Sequence, residues 1–190
     1  MSEADTEFAA LVAQHDEAIT ALIARLLPSS RGGEVDEVRQ RAWIRLWQRR
    51  SGFAARAQFS TWAWRVVVNL CRDWRREHAR RLELHEYGLD APLEPSTEPR
   101  PEEEAARAEE RSSVRAALDA LPDDERECLV LRHYHALDVT EIAEIIGRPR
   151  TTVQDALARG LHRLRFRLRR TFEESHELRR DDPPAAAARV

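Results

Sequence analysis

The sequence predicts an all-α protein made of two small helical domains joined by a flexible linker, the second domain carrying a helix-turn-helix. Long stretches rich in Ala, Leu, Arg and Glu are typical of helices. Gly is scarce, with six residues in 190, and alternating Val and Ile patterns are few, which argues against a sheet protein. A proline- and acid-rich stretch near the middle of the chain separates the two helical parts.

The first domain is predicted to cover residues 1–87 and to contain three helices. The first helix runs from about 5 to 27, where apolar residues recur at helical spacing, and the segment from Pro28 to Gly33 ends it. The second helix spans about 34–50. The third starts at Ser60, whose hydroxyl suits an N-cap, and continues to the low eighties.

The linker is predicted at residues 88–100, where prolines fall among Gly, Ser and acidic residues. The second domain follows over residues 101–172. Its helices are predicted at about 101–120, 123–133, 139–146 and 150–172. The charged tail, residues 173–190, contains a Pro-Pro-Ala-Ala-Ala-Ala run and is expected to be disordered.

The distribution of charge predicts two separate contacts with polyanions. All 31 basic residues are Arg, whose forked donors suit phosphates and carboxylates. Residues 39–81 hold twelve Arg against two acidic residues, and residues 148–170 hold eight Arg against one. These two basic blocks stand out in a chain whose net charge is −3.

Other classes of protein fit the sequence poorly. The acidic start, MSEADTEF, does not resemble a secretory signal, and no apolar run is long enough to span a bilayer. Cys71 and Cys128 lie far apart in apolar helical patterns, which is typical of buried thiols in a reducing compartment. We therefore expect a cytoplasmic protein without membrane insertion.

Residues 141–165 carry the most specific local signal, that of a helix-turn-helix. Asp138 and Glu141 have the spacing of a capping box, and Gly147 suits the left-handed residue that ends the first helix. The second helix would bury Val153, Leu157, Leu161 and Leu164. The side chains left to contact bases and phosphates are Arg148, Arg150, Thr151, Thr152, Gln154, Asp155 and Arg159. An ordinary helical hairpin with a solvated Arg face is the alternative.

All five Trp lie between residues 43 and 74, inside the first basic block. Trp43, Trp47, Trp62 and Trp74 are predicted to belong to the core. Trp64 is predicted either to pack in the core or to offer a platform on which unstacked bases lie beside a track of Arg side chains.

Two segments together resemble a known family. Residues 34–76, EVDEVRQRAWIRLW…FSTWAWRVVVNLCRDWRR, resemble region 2 of extracytoplasmic-function (ECF) sigma factors of bacterial RNA polymerase, and residues 114–168 resemble region 4. The resemblance implies a subunit that binds core RNA polymerase and directs promoter recognition and transcription initiation. It implies as partners core polymerase, the duplex −35 element and the single-stranded −10 element, with an anti-sigma factor as a further candidate.

The resemblance also implies roles for individual residues. Polymerase would bind Asp36, Glu37 and Gln40. The −10 element would bind Phe53, Gln58, Trp64, Arg65, Asn69, Arg72, Asp73, Arg75 and Arg76. The −35 element would bind Arg148, Arg150, Thr151, Thr152, Gln154, Asp155 and Arg159. Arg41 and Asp155 depart from the family pattern, because Arg41 stands where an acid is usual and Asp155 disfavours phosphate.

Two alternatives to a sigma factor explain less of the sequence. A helix-turn-helix transcriptional regulator that acts without being a polymerase subunit would explain residues 138–170 and leave the Trp-rich block without a role. An enzyme is disfavoured, because Cys128, His133 and His135 are the only tempting cluster and their spacing matches no usual zinc pattern. We expect no cofactor, no metal and no catalytic residue.

Overall fold

A computed structural model describes the backbone of residues 3–27, 32–50, 59–84 and 102–181. Within these ranges the chain forms seven α-helices, which confirms the predicted all-α class. They are α1 (Glu3–Leu26), α2 (Gly32–Gln48), α3 (Phe59–Leu84), α4 (Glu102–Asp119), α5 (Asp123–Tyr134), α6 (Val139–Ile146) and α7 (Arg150–Asp181).

Helices α1, α2 and α3 pack on one another through the apolar stripes that the sequence predicted. Ile19, Leu22, Val38 and Leu46 are among the residues that this packing buries. The predicted N-cap at Ser60 is wrong, because α3 already includes Phe59. The ring of Phe59 packs against His15 and Trp62, which holds this residue within the helix.

Both termini of α6 have the capping interactions that the sequence predicted. Asp138 Oδ1 accepts hydrogen bonds from the backbone N–H groups of Thr140 (2.6 Å) and Glu141 (2.9 Å), and Glu141 Oε2 accepts one from the Asp138 N–H (2.8 Å). This is the predicted capping box. Gly147 has φ 72° and donates its N–H to the Ala143 carbonyl at 2.9 Å, as a left-handed C-terminal residue should.

The predicted apolar stripe of α7 packs against the core, and Ala156 is buried with it. Val153 and Ala156 are fully buried, whereas Leu157, Leu161 and Leu164 are half-buried. At Gly160, which faces α5, a Cβ would lie 3.0 Å from Leu129 Cδ1 and 3.1 Å from Glu125 Cβ. The missing side chain lets α5 approach α7 closely.

Helix α7 also continues to Asp181 and so includes residues 173–181, which lie beyond the predicted end of the second domain. This segment is rich in Glu, Arg and Leu, which favour helix, and Pro183 is the first proline after Pro149. Residues 182–190 lie outside the described residues, as does the predicted linker at 88–100.

One apolar core joins the two helical modules, α1–α3 and α4–α7. The buried residues of α1 and α3 belong to the same cluster as Leu131 of α5 and Ile142 and Ile145 of α6. Helix α6 lies against α3, and α5 lies against α1. None of the helices that the structure describes combines the length and apolar character needed to cross a bilayer.

Candidate nucleic-acid interface

The start of α7 presents most of the predicted −35 side chains on one exposed face. Arg148, Arg150, Thr151, Thr152, Gln154 and Asp155 are all exposed. Val153 and Ala156 anchor the opposite side of the helix under α5 and α6. The face therefore combines two guanidinium groups with hydroxyl, amide and carboxylate groups that can meet base edges and phosphates.

Arg159 lies at the flank of this face. Its Nε is 3.3 Å from Glu125 Oε1 and its Nη2 is 3.9 Å from Asp124 Oδ2. Arg163 also reaches Glu125, at 3.4 Å. Glu125 is buried, so α5 holds Arg159 in a fixed direction, about half exposed, instead of leaving it free in solvent.

The second module covers part of the predicted −10 face of α3. Trp64 is 6% exposed, and its ring centroid lies 4.6 Å from that of His135 at the end of α5. Arg65 donates through Nη2 to the Glu144 carbonyl of α6. Asn69 is exposed. The structure thus gives Trp64 a packing role in the form it describes.

Two further arginines of α3 surround one buried carboxylate. Arg72 Nε lies 3.1 Å from both carboxylate oxygens of Glu127, and its Nη2 lies 2.6 Å from Oε2. Arg75 Nη2 pairs with Glu127 Oε1. Glu127 belongs to α5 and is 1% exposed, so this charged cluster lies inside the junction of the two modules.

Asp73 and Arg76 stand at the rim of the same face. Arg76 is exposed and pairs with Asp73, and Arg45 Nη1 of α2 lies 3.7 Å from the same carboxylate. Phe53 and Gln58, also predicted for the −10 element, lie outside the described residues.

The predicted polymerase-binding side chains, Asp36, Glu37 and Gln40, are exposed along α2. Asp36 pairs with Arg39 at 3.3 Å and Glu37 with Arg41 at 2.6 Å. Arg41 also lies 3.8 Å from Glu77 of α3, which explains how an arginine fits where the family pattern has an acid. Beside them runs a groove of about 500 Å³, which Ile44 and Leu70 help to line.

Of the four tryptophans predicted for the core, Trp74 lies in it, and Trp43 and Trp62 pack against it. Trp74 is in the core and stacks on His78, with the two rings 4.6 Å apart. Trp43, Trp47 and Trp62 are only half-buried. Trp43 donates to Asp16 Oδ1 at 2.6 Å, and the guanidinium of Arg50 lies 3.6 Å above Trp47. Trp64, left open between two roles, is more buried than these three.

Sequence reasoning missed the charged residues of α5 and their neighbours. Glu125, Arg126 and Glu127 are buried, although their acidic surroundings suggest a solvated helix start. Arg126 donates to the carbonyls of Leu118, Asp119, Leu121 and Leu26 at 3.0–3.3 Å. Burial lowers the pKa of Arg126. The spacing of residues could have predicted the burial of Glu127, because it lies four residues before Leu131, on the apolar side of α5.

The two cysteines are buried thiols, as predicted, and burial raises the pKa of each to about 12. His133 is exposed, and the ring of His135 packs on Trp64. Within the described parts of the chain, no group of His, Cys, Asp and Glu side chains is placed to hold a metal ion.

Comparisons with known proteins match the two modules separately and in order. The family model "Sigma-70 region 2" matches residues 11–81, and "Sigma-70, region 4" matches residues 111–164. These ranges contain the α3 face and the helix-turn-helix described above.

Curated relatives agree with this assignment. The chain is 28% identical to the ECF RNA polymerase sigma-E factor of Escherichia coli K12 over 162 residues, covering 80% of this chain and 82% of that one. It is 30% identical over 141 residues to a probable RNA polymerase sigma factor, RfaY, of Xanthomonas campestris pv. campestris. That match covers 73% of this chain and 35% of the relative, so the chain spans about a third of RfaY.

Two solved structures share the fold. The sigma factor RpoE, crystallised with the anti-sigma factor NepR from Bartonella quintana, superposes with a TM-score of 0.68 at 18% identity, over 86% of this chain and 97% of that one. CnrH, in complex with the cytosolic domain of CnrY, gives a TM-score of 0.59 at 24% identity, over 84% of this chain and 86% of that one. With both regions matched in order, the chain belongs to the sigma-70 family as an ECF-type sigma factor, a non-catalytic subunit that directs promoter recognition by RNA polymerase.

Proposed function

We propose that the two basic surfaces of this sigma factor divide promoter recognition between them. The exposed face at the start of α7 reads the duplex −35 element, with Arg150 and Gln154 facing base edges and Arg148 at the backbone. The observation that carries this is the exposure of the whole polar set over a side anchored by Val153 and Ala156.

Helix α3 and the loop before it bind the opened −10 strand in this proposal. Arg65, Asn69, Arg72, Asp73, Arg75 and Arg76 form the track, Trp64 is the stacking platform, and Phe53 and Gln58 of the loop receive a flipped base. The concentration of arginine on α3, together with the match to region 2, supports the assignment.

Core polymerase docks on α2 in the same proposal. Asp36, Glu37 and Gln40 are exposed and form no part of the core, so they are free to meet a partner surface. An anti-sigma factor is a further partner, because RpoE, which shares this fold, was crystallised with the anti-sigma factor NepR. We place the protein in the cytoplasm, where RNA polymerase works.

The domains in this proposal are residues 1–87 and 101–172, with 88–100 as a flexible linker between them. Reading two promoter elements at once requires the modules to stand apart on polymerase, and a linker of that composition allows it. A helix-turn-helix regulator that acts without polymerase would leave the region 2 match at residues 11–81 unexplained.

A run-off transcription assay with core polymerase tests the division of labour. Arg150→Ala or Gln154→Ala should weaken promoter recruitment by about 1–3 kcal/mol per lost base contact, and a premelted −10 bubble should not restore it. Arg111→Ala, an exposed arginine on α4 outside both basic blocks, is the matched control and should behave like the parent.

Trp64→Ala should give the opposite pattern in the same assay. Loss of the platform should cost roughly 1–3 kcal/mol of single-strand affinity, leave recruitment nearly normal and reduce opening, so that a premelted bubble rescues much of the defect. Permanganate footprinting on duplex and bubble templates reads this directly. If the folded variant opens duplex promoters like the parent, Trp64 is a packing residue only.

A further inference from the structure

The carboxylate of Glu127 occupies the same guanidinium groups that the proposed function assigns to the opened DNA strand. Arg72 and Arg75 are its two partners, and both belong to the −10 face of α3. We propose that Glu127 is an intramolecular stand-in for a DNA phosphate, which holds the free sigma factor closed and keeps α3 from single-stranded DNA. This inference rests on the proposed role of α3.

The cluster leaves no room for a phosphate at Arg75. This side chain is 9% exposed, and besides Glu127 it meets the Leu26 carbonyl at 3.2 Å and Asp123 Oδ1 at 3.2 Å. All three contacts must be given up or rearranged before Arg75 can bind a strand. A carboxylate and a phosphate present the same geometry to a guanidinium fork, so occupation by one excludes the other.

The same docking of the second module also contacts other residues of the proposed −10 face, although Asn69 and Arg76 stay exposed. Trp64 packs on His135, and the side chain of Arg65 is held by the Glu144 carbonyl. Arg72 also donates through Nη1 to the Ile146 carbonyl at 3.3 Å. Glu127 thus lies in a contact that buries the Trp64 platform and Arg75 and engages the side chains of Arg65 and Arg72.

The polar contacts between the modules are exchangeable, whereas the apolar surface that they share must be covered by a partner when the modules separate. Arg115 and Arg126 of the second module donate to the Leu27 and Leu26 carbonyls at 2.6 Å and 3.3 Å, and solvent or polymerase can replace such donors. A buried ion pair is little more stable than the same two charges exposed to water. A buried charge without its partner, in contrast, destabilises the fold strongly. When the modules separate, Arg72 and Arg75 lose Glu127 as a partner. DNA phosphates that take its place keep both guanidinium groups paired.

Glu127→Gln in the full chain tests the proposal, because it removes the charge and keeps the shape. The matched control is Glu144→Gln, an exposed acid on α6. Circular dichroism first checks that helix content is retained. Small-angle X-ray scattering then measures the maximum dimension, and fluorescence anisotropy measures binding to a short labelled single strand of mixed sequence.

We expect Glu127→Gln to increase the maximum dimension and to raise single-strand affinity by about tenfold or more, as expected when a minor open state becomes the main one. Glu144→Gln should match the parent in both. An unchanged dimension with unchanged affinity overturns the proposal. Opening without a gain in DNA affinity supports the latch and overturns the assignment of Arg72 and Arg75 to DNA.

A charge exchange covers the case in which Glu127→Gln fails to fold. Arg75→Glu combined with Glu127→Arg restores opposite charges at positions 75 and 127 but sets a carboxylate beside Asp123, so the chain should be more compact than with Arg75→Glu alone. The single change Arg75→Glu places two carboxylates together and should open it. If that single variant stays folded and as compact as the parent, charge pairing at Glu127 does not hold the modules together.

Discussion

His135 lies where α5 ends, with its ring against Trp64 and its Nε2 buried without a hydrogen-bond partner. Burial is the main cause that lowers the pKa of His135 from 6.5 to about 4, and the nearby charge of Arg25 adds to it. The folded form therefore keeps this imidazole neutral at pH values where the unfolded chain would already bind a proton.

Acidification should for this reason weaken the contact between the modules. Because the folded pKa lies below the unfolded one, the stability that depends on neutral His135 is complete above pH 6.5 and is lost as the pH falls from 6.5 towards 4. Thermal unfolding at about pH 7 and pH 5 measures it. His135→Phe should lose less stability between these values than the parent, while His133→Phe, at an exposed site, should keep the parent's dependence.

Single residues also show what sequence patterns can and cannot predict. Asp138 and Glu141 are close in sequence, so their spacing alone predicted the capping box. Glu127 and Trp64 depend instead on which helix arrives from the other half of the chain, and no local pattern contains that information. The exposed side chains at the start of α7 were predictable, because the apolar spacing within this one helix shows which positions are buried and therefore which are exposed.

At the scale of elements, α2 is expected to work as a docking helix with its core left intact. Glu37→Arg with Gln40→Ala changes only exposed side chains and breaks an exposed pair with Arg41, which contributes at most about 1 kcal/mol to stability. The variant should fold normally and bind core polymerase more slowly, with less dependence on salt.

Association kinetics with core polymerase at two salt concentrations measure this effect. Glu110→Arg, a charge reversal on the exposed side of α4, is the control and should associate like the parent. Equal rates for the α2 variant and the control would show that polymerase docks elsewhere.

The packing of α5 on α7 gives a second prediction at this scale. Gly160→Leu puts a branched side chain where a Cβ alone would lie 3.0 Å from Leu129 and 3.1 Å from Glu125, so the helices must move apart. We expect a loss of about 1–3 kcal/mol in unfolding free energy. Ala158→Leu, on the exposed side of α7, should lose little, and chemical denaturation of both variants decides between close packing and a tolerant gap.

For the whole molecule, the sequence predicted the parts better than their arrangement. Helix order, the helix-turn-helix and the all-α class follow from periodicity and turn chemistry. That α6 lies on α3 and α5 on α1 does not, because the apolar sides of α3 and α6 are compatible with a partner protein as well as with each other.

The single apolar core shared by α1, α3, α5 and α6 has a consequence for how the chain melts. Two small domains that are joined only by a linker would each unfold at a separate melting temperature. Bodies that share buried surface stabilise each other, and neither can lose its structure without exposing the other's apolar residues to water. We therefore expect the closed protein to unfold in one cooperative transition, and a variant whose modules stand apart to unfold in two.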